Sequence, residues 1–158
     1  NMMKKIIYGG AILAVATTAV FAAGHAKTPE AKAVELRKAH MQLQGHNLGI
    51  LGAMAQGKAD YDADAASAAA TNLAALASMA HNGYWLPGSD SASIEGTRAL
   101  PEMWQNFADV GAKVGALKAA ADAMSLVAGT DLASLQGAMG PVGGACGACH
   151  KAYRQSNN

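Results

Sequence analysis

A chain of 158 residues with a formal charge of +1 has room for one domain with a sizeable core, and it lacks the basic excess of a nucleic-acid binder. Aromatic residues make up only 5% of it, while hydrophobic residues reach 51%. A core made mainly of Ala, Leu, Val and Met suits close-packed helices and argues against a sheet, where β-branched and aromatic residues lead.

Lys4 and Lys5 precede a run of apolar and small residues from Ile6 to Phe21, and small residues follow at Ala22, Gly24 and Ala26. This is the layout of a secretory signal peptide over residues 1–26, with cleavage expected after Ala22 or Ala26. The apolar run is about 16 residues, short of the ~20 that a bilayer span needs, so the mature form is not expected to be membrane-embedded. The mature domain is expected over 27–158, exported to the periplasm.

Thr28-Pro29-Glu30 reads as a helix start, and apolar residues recur at helical spacing from Val34 to Met54 before Gly57-Lys58 closes the segment. Asp60 to Asp64 offers a second cap, followed by an Ala-rich helix ending near His81-Asn82-Gly83. Gly, Pro, Ser and Asp concentrate over residues 83–97, which predicts a long loop. A third helix is expected from Leu100-Pro101-Glu102 to about Val127, and a fourth from Asp131 towards Gln155, kinked or loosened at Pro141 and Gly143-Gly144. Four helices with two short connections and one long loop predict an all-α, antiparallel four-helix bundle.

The first helix carries two stripes. Arg37, Met41, Gln44, Gly45, Leu48, Gly52 and Ala55 share one side, and Leu36, Leu43, Ile50 and Met54 the opposite one. Two stripes need two partners: the bundle interior and, on this reading, a second subunit.

The two cysteines fall in Cys146-Gly147-Ala148-Cys149-His150, the C-x-x-C-H attachment pattern for c-type haem. Cysteines three apart on a helix share a face, so both thiols reach one porphyrin, and the adjacent histidine meets the iron. A thioredoxin-like pair would need a βαβ context, and a zinc site would need further ligands at suitable spacing. A plain disulfide leaves His150 without a role. A core so poor in aromatics also leaves space for a large flat cofactor.

These residues resemble the cytochrome c′ family, the class II c-type cytochromes. The resemblance is carried by C-x-x-C-H near the C-terminus with Lys151-Ala152-Tyr153-Arg154 after it. It extends to Arg37-x-x-x-Met41-x-x-x-Gly45-x-Asn47, Gly57-Lys58 before Tyr61-Asp62, Gly88-Ser89, and Pro101-Glu102-Met103-Trp104. Val110 departs from it, since the family often has Phe six residues after the Trp. The resemblance implies a bundle with covalent haem c, commonly a homodimer packed through the first helices. It further implies that Arg37 contacts a haem propionate, Met41 faces the distal side of the iron, and Arg154 lies beside the proximal imidazole of His150.

The family divides between a five-coordinate iron that binds NO or CO and a six-coordinate electron carrier ligated by Met. A thioether at Met41 is able to ligate, and small residues around it let the helix approach the ring. The expectation is therefore one-electron transfer with periplasmic redox partners and no enzymatic reaction, with NO or CO binding as the alternative. His40 lies about 100° and His46 about 140° from Met41 on the helical wheel, so both are expected to point away from the haem. His81 lies at the end of the second helix, and all three histidines are read as surface or interface residues. Trp85 is placed over a haem edge and Trp104 in the core.

Overall fold

A computed structural model describes residues 27–156; the expected signal peptide, residues 1–26, lies outside the described residues. Five helices follow one another: α1 (Pro29–Ala55), α2 (Ala63–Ala77), α3 (Glu102–Gln105), α4 (Phe107–Val127) and α5 (Leu132–Tyr153). The four long ones form the bundle. α1 packs on α2 and α5, and α4 packs on α2 and α5, so the helices close into a ring. Of these pairs α1 and α5 are the most loosely apposed.

Local chemistry sets most of the boundaries. Thr28 accepts a bond from Ala31 N at 3.2 Å, and Asp62 and Asp131 cap α2 and α5 by accepting from Ala65 N and Ser134 N, each at 2.8 Å. α1 ends in a Schellman motif: Gly57 takes a φ of +67°, Lys58 N donates to Ala53 O and Gly57 N to Met54 O. Only a residue tolerant of left-handed backbone fits there. Tyr61 Oη donates to Ala128 O at 2.9 Å, tying the two short connections together at one end of the bundle.

Two expectations about the helices change. α2 stops at Ala77 instead of near His81; Met79 N turns back to Leu76 O, and the chain bends so that the His81 ring packs against His40. The third predicted helix is broken at Asn106 (φ −132°, ψ 42°), whose side-chain amide donates to Glu102 O at 2.8 Å and so competes with the helical ladder. α5 runs uninterrupted through Pro141. The carbonyl that Pro141 fails to satisfy belongs to Gly137, and both residues are exposed, so that carbonyl is open to solvent.

The core falls into two parts. The larger is centred on Leu51, Leu73, Met124, Leu135 and Val142, all fully buried, with alanines of α2 letting the helices approach closely. The smaller gathers Met103, Val110 and Tyr153 with Trp85, Trp104 and Cys149. Trp104 thus packs on the core, as expected, and Val110 is buried.

The buried stripe of α1 matches the one read from the wheel only at Arg37 and Gln44. It runs Ala33, Arg37, His40, Gln44, Asn47, Leu51, Met54, in alternating steps of three and four. Met54, assigned to the outer stripe, belongs to the core, while Leu36 and Leu43 do face out, at 41% and 53% exposure. The first half of the inward stripe is polar because it faces a cavity and not packed side chains.

Candidate functional site

α5 holds Cys146 and Cys149 on one face by their three-residue spacing, with His150 next in line. All three line a cavity of about 830 Å³. Arg37 and Met41 of α1 and Arg154, just past α5, line it too, so the six residues singled out in the sequence meet in one place. Val110, Val114 and Leu117 of α4 contribute an apolar wall.

The cysteines are free and half-buried, and burial pushes both thiols above their ordinary range, so they are protonated at neutral pH. Burial lowers His150, helped by the positive charges of Arg154 and Arg98, which keeps the imidazole neutral with a lone pair to offer. Gly147, between the cysteines, meets nothing within 4 Å at the position a Cβ would take. Two thiols and a neutral imidazole on one wall of an apolar, macrocycle-sized cavity fit a covalent haem.

Arg37 does more than line the cavity. It is only 4% exposed, and Nη1 donates to Ser89 Oγ at 2.7 Å and Tyr84 O at 3.3 Å. Nη2 donates to Thr97 Oγ1 at 2.6 Å and to Ser89 O. Its guanidinium carbon lies 4.8 Å from the Trp85 ring centroid and 5.8 Å from that of Trp104. α1 thereby staples the long loop, and the Nη donors that a propionate would use are engaged by that loop.

His40 and His81 overturn the expectation that they are surface or interface residues pointing away from the haem site. His40 is buried, both line the cavity, and their rings stand edge to face with centroids 5.1 Å apart. His40 Nε2 sits 2.8 Å from the side-chain nitrogen of Gln44. Desolvation lowers both histidines, His40 also through His81, so both are neutral near pH 7. The neutral His40 ring accepts from the Gln44 amide at Nε2. His46 is exposed, as expected. The signal for His40 was its i, i+4 spacing to Gln44; no comparable signal marks Ser89 and Thr97 as partners of Arg37.

A four-helix bundle whose last helix carries C-x-x-C-H into a large internal cavity defines a c-type haem protein of the bundle class. Known proteins agree. The sequence profile of the family described as Cytochrome C′ matches residues 32–154. Cytochrome c-554 of Cereibacter sphaeroides is 45% identical over 124 residues, spanning 78% of this chain and 81% of its own length. The solved cytochrome c′ from Rhodobacter sphaeroides superimposes with a TM-score of 0.79 at 34% identity, over 83% of this chain and 100% of that one. Another cytochrome c′, described as having an unusual ligand-controlled dimer dissociation, gives a TM-score of 0.74 at 32% identity, over 83% and 99%. The chain belongs to the cytochrome c′ family, and its cofactor is the family's covalent haem c.

Proposed function

We propose that this protein is a periplasmic one-electron carrier, with haem attached through Cys146 and Cys149 and iron ligated by His150 and Met41. One observation carries the reading: Met41, on α1, and the C-x-x-C-H wall, on α5, line the same cavity. The haem supplies a reversible Fe(III)/Fe(II) couple; the protein shields it with Val110, Val114 and Leu117 and presents a soft thioether that favours Fe(II). Arg154, whose charge is felt at His150, is assigned to the proximal side. Arg37 is assigned to the propionate side through Nε and through the loop it holds. No substrate chemistry is required, so the reading is not enzymatic.

Export rests on residues 1–26. Among the described residues, no helix is long and apolar enough to cross a membrane. A homodimer through α1 is supported by Leu36 and Leu43 on its outer face, with half-buried Ile50 seven residues further on.

The second reading, a five-coordinate iron that binds NO or CO, is favoured by Met41 itself. Its side chain lines the cavity but belongs to neither buried cluster, so protein packing alone does not direct its sulfur at the iron. An absorption spectrum decides. A ferric band near ~695 nm and a sharp low-spin ferrous α-band are expected for thioether ligation. A high-spin spectrum that changes on adding NO overturns the electron-carrier reading.

A further inference from the structure

Four aromatic side chains able to lose an electron stand at the haem end of the bundle: Tyr84, Trp85 and Tyr153 line the cavity, and Trp104 packs in the same cluster. A phenol gives up an electron readily only where a base within hydrogen-bond reach takes its proton. Tyr153 is the one tyrosine among the described residues whose hydroxyl meets a carboxylate. It donates to Asp109 Oδ2 at 2.6 Å, the short distance of a charge-assisted bond. Tyr61 donates instead to Ala128 O and Trp104 Nε1 to Trp85 O, carbonyls that cannot hold a proton.

The two members of this pair face different surroundings. The Tyr153 ring is 9% exposed and shares its cluster with Cys149, one helical turn earlier on α5. Haem held at Cys149 Sγ, as proposed above, is then one side-chain contact from the ring. Asp109 is half-exposed and bonded to Lys113, so a proton arriving there can pass to water. An oxidised phenol is a far stronger acid than a carboxylic acid, so Asp109 accepts although Tyr153 and Lys113 hold its carboxyl low. We propose that Tyr153 and Asp109 form a proton-coupled electron donor to the haem, which discharges oxidising equivalents that a peroxide leaves there. Hydrogen peroxide takes two electrons from a ferric haem as its O–O bond breaks. Tyr153 returns one of them through Cys149; its O–H bond breaks, Asp109 Oδ2 takes the proton, and a neutral phenoxyl radical remains. One-electron reductants such as ascorbate then restore the phenol and the haem, and the proton returns from Asp109. The proposal rests on the covalent haem, and neither on Met41 ligation nor on the carrier reading.

The test is rapid-freeze electron paramagnetic resonance of ferric holoprotein mixed with hydrogen peroxide, with covalent haem content as the folding control. Met41→Ala is run beside the wild type, so that peroxide reaches the iron whether or not Met41 ligates. A tyrosyl signal is expected, narrowed when the chain is made with ring-deuterated tyrosine. Tyr153→Phe should lose that signal, and its haem absorbance should bleach several-fold faster; Tyr84→Phe should keep it. Asp109→Asn retains the phenol and removes the base, so its radical should form several-fold more slowly. A bond that served packing alone would place the radical on another aromatic and leave its rate unchanged in Asp109→Asn. A signal that survives in Tyr153→Phe or ignores tyrosine deuteration therefore overturns the proposal. So does an unchanged rate in Asp109→Asn, or a haem that peroxide leaves ferric in both backgrounds.

Discussion

Tyr153 Oη donates a 2.6 Å hydrogen bond to Asp109 Oδ2, fastening the last turn of α5 to the first turn of α4 one helical turn beyond Cys149. The same carboxylate accepts from Lys113 Nζ at 2.9 Å. The helix bearing the haem motif is thus pinned just past it to the apolar wall of the cavity.

Removing this tie as Tyr153→Phe should lower the thermal midpoint by on the order of a few °C, with a pH signature. The Asp109 carboxyl is held below the usual range, first by Tyr153 and then by Lys113. A depressed carboxyl adds stability above its ordinary value and loses it as pH falls through the folded value. The Tyr153 hydroxyl is pushed up to about 12, chiefly by the bond to Asp109, so its contribution is lost as pH rises from about 10 through about 12. The gap between wild type and variant in thermal melts should be widest between these limits and close at both extremes. A pH-independent gap would show that the lost contribution is packing.

Arg37→Lys keeps the charge and loses the fork. One ammonium cannot serve Tyr84 O, Ser89 Oγ, Ser89 O and Thr97 Oγ1 together, nor lie flat near two indole rings. A loss of about 2–3 kcal/mol is expected, from buried acceptors left unsatisfied. Urea unfolding should show a lower midpoint at an unchanged slope, and limited proteolysis should cut faster within residues 84–97. Equal cleavage rates would mean that the loop is held by other contacts.

Leu43→Glu places a charge on the outer face of α1, where Leu43 is 53% exposed. Because the side chain leaves the bundle interior alone, folding should be unaffected while sedimentation shifts from dimer to monomer. An unshifted sedimentation coefficient would remove this face as the interface.

Cys146→Ser/Cys149→Ser prevents covalent attachment. Without haem the apolar wall of Val110, Val114 and Leu117 loses its partner and faces water, at roughly 25 cal/mol per Å² of apolar surface left uncovered, so the haem end of the bundle should loosen. The variant should keep helical far-ultraviolet circular dichroism, bind a hydrophobic dye and melt broadly. A sharp transition at the holoprotein's temperature would show that the bundle stands without its cofactor.

Much of this arrangement was legible in the residues. Thr28, Asp62 and Asp131 announce helix starts because capping is a local bond, and C-x-x-C-H announces its chemistry because thiols and imidazole must share one helix face. The wheel places Arg37 and Gln44 on the inward stripe of α1 but leaves off His40 and Asn47, polar residues that the structure also turns inward. Arg37, His40 and Gln44 line the cavity, whereas Asn47 donates to Leu43 O and accepts from the Asn72 amide, a contact that no spacing announces. The break at Asn106 turns on one side-chain amide reaching Glu102 O. The loop is held by Arg37 through backbone carbonyls and small hydroxyls, partners that leave no pattern in sequence.

The division of the core into two clusters has a consequence for how the holoprotein matures. Leu51, Leu73, Met124, Leu135 and Val142 are fully buried and line no part of the cavity, beside connections tied together by Tyr61 and Ala128, and their cluster meets the haem motif only at its edge, through Cys146. Met103, Val110 and Tyr153 are few, and they share their cluster with Cys149 itself. One end of the bundle can therefore assemble first and hold its helices in register while the other stays ajar for the thiols to be reached. Amide protons around Leu73 and Met124 should be protected before haem is attached, and those around Met103 and Val110 only afterwards.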